Sequence, residues 1–198
     1  MILEAIVTSA DVNGNLNLAP MGPVVPDDFA ECQSLERLLL KPFRSSTTYR
    51  NLIATGKAVV HVTDDVSLFA RAAVGNLSQS EICGLVEQWE DSPWWRLRNC
   101  HRWIAVEVEN VSDHTLRVEM DCRVIHSEVG KPFFGFNRAK FAVIEAAILA
   151  TRTHLISVEQ INADLDRLQP LIDKTSGQKE EAAFQFLRKT INERIKNH

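Results

Sequence analysis

Between residues 41 and 52 the chain reads Lys41-Pro42-Phe43-Arg44-Ser45-Ser46-Thr47-Thr48-Tyr49-Arg50-Asn51-Leu52, which gathers two arginines, a lysine, four consecutive hydroxyl side chains and an asparagine. Cationic forks beside neutral donors suit a phosphate. A Ser or Thr hydroxyl gives one bond to a phosphate oxygen, and arginine holds two oxygens through its planar fork. The first N–H groups of a following helix add partial positive charge. A cap at Ser46 or Thr47, on a helix running through Leu52-Ile53-Ala54, aims those groups at one point. The same residues also describe an ordinary capped helix with a solvated start, and composition alone favours that simpler reading.

A second segment, Leu16-Asn17-Leu18-Ala19-Pro20-Met21-Gly22, reads as a strand in which proline demands an edge or a break, and Gly22 gives close access to the backbone. That opens a gap where a flat group could lie against main chain; a strand that merely ends at its proline fits equally. His61 stands alone in the apolar run Ala58-Val59-Val60-His61-Val62-Thr63. It reads first as a structurally satisfied residue, since nothing beside it completes a catalytic pair. Cys32, Cys83, Cys100 and Cys122 show no two-residue spacing, which argues against a zinc ribbon or a dithiol pair. Asp64-Asp65 reads as a turn lacking the other oxygen ligands of a calcium loop. No metal site is expected.

These segments must be held by a core, and 198 residues suffice for one full domain with an appendage. Lys plus Arg number 22 against 26 Asp plus Glu, a formal net charge of −4. No whole-molecule field favours nucleic acid or acidic lipid, so any anion site is local. No apolar run approaches membrane-spanning length. The opening Met1 to Val7 reads as a strand without a basic leader, and reduced thiols are the default, so a soluble, cytoplasmic protein is expected.

Met1 to Ser9 is read as a first strand, with Asp11 to Asn15 as a turn in which Asn13-Gly14 accepts positive backbone angles. Gly56-Lys57 ends the short helix, and Ala58 to Thr63 suits a central strand. Leu68 to Val74 is ambiguous between helix and strand. Ser78 to Glu90 has helical spacing at Ile82, Leu85, Val86 and Trp89. Trp94, Trp95 and Trp103 read as core or a subunit contact before a stacking platform. Arg102 to Val111 and Leu116 to His126 alternate as an antiparallel hairpin with one wet face. Asn137 to Leu155 is a long helix, Ser157-Val158-Glu159-Gln160 a capping box opening a second, broken or bent at Pro170, and Glu180 to Lys196 a third. The result is an α+β chain, with a strand-rich barrel over 1–130 and helices over 131–198.

Asn17 to Gly22, then Ser46 to Leu52, then Gly56 to Val62, in that order and spacing, resemble the flavin-reductase-like, FMN-binding split-barrel superfamily. With Phe136-Asn137-Arg138-Ala139-Lys140 opening the long helix, the chain is most similar to its branch called domain of unknown function 447. This resemblance implies a split β-barrel followed by a small C-terminal helical bundle, with FMN at a homodimer interface. It places Ala19, Pro20, Met21 and Gly22 against the flavin ring. Arg44, Ser45, Ser46, Thr47, Thr48 and Asn51 would hold ribityl and phosphate. His61 falls where relatives commonly place an asparagine, and Asn137 and Arg138 could close the site at the first turn of the long helix, with a helix-capping and salt-bridging role fitting them equally. An FMN-dependent oxidoreductase acting on an unidentified small molecule is implied. A flavin-binding or assembly module without turnover, or a barrel taking another phosphorylated cofactor, such as a pterin or pyridoxal derivative, remains open.

Overall fold

The computed structural model describes residues 1–29, 31, 35–113, 118–133 and 135–196. Cys32 and the start of the second hairpin strand at Leu116 lie outside the described residues. Two compact units form, one from Met1–Thr63 with Leu77–Phe133 and one from Asp64–Asn76 with Phe134–His198.

In chain order the first unit carries strands β1 (Ala5–Ala10), β2 (Leu16–Met21) and β3 (Arg37–Leu40), helix α1 (Thr47–Thr55) and strand β4 (Lys57–Val62). Helix α2 (Val66–Val74) is given to the second unit. The first unit resumes with α3 (Gln79–Leu85), the small pair β5 (Val86–Gln88) and β6 (Trp95–Leu97), and the long hairpin β7 (Arg102–Ser112) and β8 (Glu119–Val129). Six strands form one sheet in the order β2-β1-β4-β7-β8-β3, antiparallel throughout. Val24 bridges both Ile2 and Leu39, so the chain after β2 links the two ends of the sheet. A barrel results.

Pro20 lies opposite Ile6 on β2, whose ladder runs along β1 alone, the edge location a residue without an N–H requires. The β1–β2 turn is held by Asp11, whose Oδ1 accepts from the N–H groups of Asn13 and Asn15, while Gly14 takes φ +82°. The nearly continuous apolar run of β4 has a simple cause. Ala58 and Val60 join Ala5, Val7, Ile104 and Val106 in the barrel core, while Val59 and His61 are buried on the opposite face under the β5–β6 hairpin. A strand covered on both sides needs apolar residues at every position.

That hairpin corrects the sequence reading of one helix from Ser78 to Glu90. The helix stops at Leu85, and Val86 to Gln88 pair with Trp95 to Leu97. Tertiary bonds favour the strand: Thr8 Oγ1 donates to the Trp95 carbonyl, and the Leu97 N–H donates to His61. Ser78 and Glu81 form a complete capping box there. At Ser157 only half of the expected box is made, because the Gln160 side chain turns to Asp164.

The second unit packs α2 with α4 (Arg138–Thr151), α5 (Val158–Thr175) and α6 (Gln178–Lys196). Ala139, Ala142, Ala146 and Ala150 let α4 sit close to Phe184, Leu187 and Ile191 of α6. Pro170 lies inside α5, which runs from Val158 to Thr175 unbroken, so of the break or bend expected there the break does not occur.

Gly130 closes the β8 exit against the turn before β7. Its N–H donates to the His101 carbonyl at 2.8 Å, and a Cβ added there would lie 2.4 Å from the Cys100 carbonyl oxygen. Backbone cannot yield as a side-chain tip can. Gly130→Ala is expected to destabilise the protein by about 1–3 kcal/mol, the range for overpacking, read as a lower urea midpoint.

Candidate functional site

Helix α1 starts where the sequence places it. Ser46 is the N-cap, at φ −76° and ψ 150°, and its hydroxyl accepts from the Tyr49 N–H at 3.1 Å. Gly56 ends the helix at φ +69°, returning its N–H to the Leu52 carbonyl. The inner face is pinned to the barrel. Leu52 enters the core, Asn17 on β2 donates from Nδ2 to Thr48 Oγ1 at 3.0 Å, and Asn51 donates from Nδ2 to Ser9 Oγ on β1 at 3.1 Å.

The outer side of the same turn carries Arg44, Ser45, Thr47 and Arg50, all exposed. The N–H groups of Thr47 and Thr48 belong to the first turn, where a helix offers no carbonyl to them. Arg50 reaches back across this turn. Its Nη1 donates to the Ser45 carbonyl and its Nη2 to Thr47 Oγ1, each at 2.9 Å. Arg44 is engaged differently, in an ion pair with Asp113, and Lys41 pairs with Glu119 at 2.6 Å. The turn therefore assembles hydroxyls, free helix N–H groups and a guanidinium, the donor set that a phosphate monoester needs.

On β2, Ala19, Pro20 and Met21 are half-buried, and the Asn17–Thr48 bond ties this strand to the first turn of α1. Gly22 has a local reason for its missing side chain: a Cβ would come 2.8 Å from Ile2 Cγ2.

The expected cofactor contact at His61 is corrected. The ring is wholly buried, Nδ1 lies 2.9 Å from the Ile6 carbonyl, and Nε2 accepts from the Leu97 N–H at 2.9 Å. This fixes a neutral ring with the proton on Nδ1 and leaves no atom for a ligand. Burial lowers its pKa to about 4. Asn137 is also committed, capping α4 through Lys140 N–H and donating from Nδ2 to the Thr175 carbonyl within the helical unit. Arg138 is exposed at the first residue of α4.

The residue roles implied by the resemblance left Arg50 out of the site, although the count of two arginines in the segment included it. The usable signal was its spacing, since an arginine four residues past an N-cap can fold back over the first turn.

Trp94 and Trp103 both pack against Trp89. Trp103 is buried, 5.3 Å from the Trp89 ring and 4.8 Å from His126, and Trp94 Nε1 donates to the Val106 carbonyl. Burial pushes the thiols of Cys100 and Cys122 up to about 11 and about 12, so neither is a ready nucleophile at neutral pH. Among the described residues no group of three His, Cys, Asp or Glu is placed to hold a metal, and no helix is long and apolar enough to cross a membrane.

Two family models cover most of the chain. The N-terminal domain of the protein of unknown function family DUF447 matches residues 3–131, and its C-terminal counterpart matches 137–189. The chain belongs to the DUF447 family. An FMN-bound DUF447 protein from Methanosarcina mazei shares its fold, with a TM-score of 0.80 at 23% identity, over 96% of this chain and 94% of that one. A Shewanella frigidimarina protein with a split barrel domain matches 66% of this chain and 68% of its own, with a TM-score of 0.52 at 15% identity. Nitrilotriacetate monooxygenase component B from Bacillus cereus matches 66% and 71%, with a TM-score of 0.51 at 19% identity. The DUF447 fold is thus a split barrel joined by helices, as the resemblance implied.

The neutral His61 gives this DUF447 member a pH signature. Its folded pKa is below the unfolded value of about 6.5, so the unfolded chain binds the extra proton, and stability falls as pH drops from about 6.5 toward 4. The loss attributable to His61 is on the order of 3 kcal/mol. Urea unfolding at pH 7 and pH 5 checks this: His61→Gln should show a smaller drop between the two than the unsubstituted protein.

Proposed function

We propose that this protein binds FMN, one per chain, and acts as an oxidoreductase of the flavin-reductase-like class on a small molecule in the cytoplasm, as a homodimer. One observation carries the reading: a family member bound to FMN has the same fold across nearly the whole chain. The residues present fit the group. The phosphate would rest on the Thr47 and Thr48 N–H groups and the hydroxyls of Ser45, Ser46 and Thr47, and the ring would lie along Ala19 to Gly22. Thr48 and Asn51 hold the helix in place through Asn17 and Ser9. When bound, FMN supplies one- and two-electron transfer, which asks for no protein nucleophile. The chain's part would be to orient the tail and hold the ring against the half-buried Ala19, Pro20 and Met21.

Phe43, Val129 and Phe133 of the barrel unit are large apolar side chains that stand more than half exposed. Association with a second copy would remove them from water. Sedimentation should therefore report a dimer; a monomer at all concentrations counts against the homodimer.

FMN titrated into the purified protein should quench flavin fluorescence and stabilise the fold by about 2.7 kcal/mol at one hundred times the Kd, seen as a raised melting temperature. NADH or NADPH should then bleach the bound flavin and turn over with an added acceptor. No binding would end the flavin reading. Binding without reduction by either nicotinamide would leave a flavin-binding module.

A further inference from the structure

We propose that Arg50, rather than Arg44, is the residue that makes this site choose a phosphorylated flavin over its dephosphorylated form, riboflavin. The inference rests on the FMN reading above and assigns the phosphate's cation within it. Three cations lie in residues 41–52, and the structure separates them by what already neutralises them. Lys41 pairs with Glu119 and Arg44 with Asp113, so each meets a carboxylate before any ligand arrives. A phosphate drawing on Arg44 must compete with Asp113.

Arg50 is in the opposite condition. Its two hydrogen-bond partners, the Ser45 carbonyl and the Thr47 hydroxyl, are neutral, and among the described residues no carboxylate is paired with it. In a chain of net charge −4, an exposed guanidinium with uncompensated charge is a local exception. It is also held in place. Two hydrogen bonds fix its fork over the first turn of α1, beside the Thr47 hydroxyl and the helix N–H groups that belong to the same cradle. A side chain already ordered loses less freedom when it takes an anion. Its remaining N–H groups complete the cradle.

The test compares FMN and riboflavin affinities, by quenching of flavin fluorescence, in the unsubstituted protein, Arg50→Gln, Arg50→Lys and Arg44→Gln. Arg50→Gln should weaken FMN about 10- to 100-fold, the worth of a charged hydrogen bond, with riboflavin unchanged. Arg50→Lys should recover part of the FMN preference, which a purely structural role would not. Arg44→Gln should change the preference by no more than about fivefold, as for an exposed ion pair. An unchanged preference in Arg50→Gln, or an equal collapse in Arg44→Gln, overturns the assignment. If the unsubstituted protein binds neither flavin, the flavin reading fails, and inorganic phosphate decides Arg50 by itself. A phosphate-induced rise in melting temperature that Arg50→Gln abolishes supports the assignment, and no rise in the unsubstituted protein overturns it.

Discussion

A strand buried on both faces must satisfy every polar atom it carries without water, and β4 is such a strand. His61 meets this requirement by bonding in two directions, across the sheet to the Ile6 carbonyl and outward to the Leu97 N–H. The second bond staples the β5–β6 hairpin over the sheet, and that cover is what allows Val59 and Trp103 to be buried on the barrel's outer side. An unpaired buried ring nitrogen would cost about 1–3 kcal/mol, so the histidine and the hairpin stabilise each other. Placement of α1 follows from the same strand. Gly56 turns the helix directly into β4, and its carbonyl accepts from the Val108 N–H of β7, which anchors the helix exit to the centre of the sheet.

Fixed at its exit by Gly56 and along its inner face by Leu52, Thr48 and Asn51, α1 has little freedom left at its first turn. This matters for the chemistry proposed there. A phosphate site made from surface side chains alone would have to order several of them on binding, each at a cost of about 0.5–1.5 kcal/mol. Here Ser46 is set by its cap, Thr47 by the helix, and Arg50 by two bonds. Charges around the turn are distributed with equal consequence. The β7–β8 hairpin contributes Asp113 and Glu119 opposite Arg44 and Lys41, and further along the sheet Glu107, Glu109 and Asp121 interleave with Arg123 and Arg37. Each exposed pair stabilises little. Together they neutralise most of this face and leave Arg50 as an unneutralised positive charge in the segment.

Local chemistry was legible in the sequence wherever one residue type dictates one backbone shape. Ser46 as cap, Gly56 as a left-handed terminus, Asn137 as the cap of the long helix, and Pro20 on an edge strand were all readable in this way. Elements decided by distant partners were not. Arg37 to Leu40 carries no alternation and becomes a strand because β8 and Val24 flank it. The run Ile82, Leu85, Val86, Trp89 keeps helical spacing, yet its second half is drawn into a hairpin by Thr8 and His61. Helix α2 sits between strands in sequence and joins the α4–α6 core through Val66 and Ala70, an association that no local pattern announces. His61 shows the opposite case, where the plain reading of a lone histidine in an apolar strand was physically sound and the resemblance pointed elsewhere.

Three of the side chains that could do covalent chemistry by themselves are silenced by this fold. Cys100 and Cys122 are held as thiols by burial, and His61 is locked neutral with both nitrogens spent. What remains exposed and ordered at α1 are donors: hydroxyls, helix N–H groups and a guanidinium. Donors bind and orient anions; they do not attack or abstract. An architecture that spends these three groups on structure and keeps its donors for a rigid turn is suited to holding a group whose own electrons do the work, and the specificity of such a protein then depends on how well that turn recognises the tail.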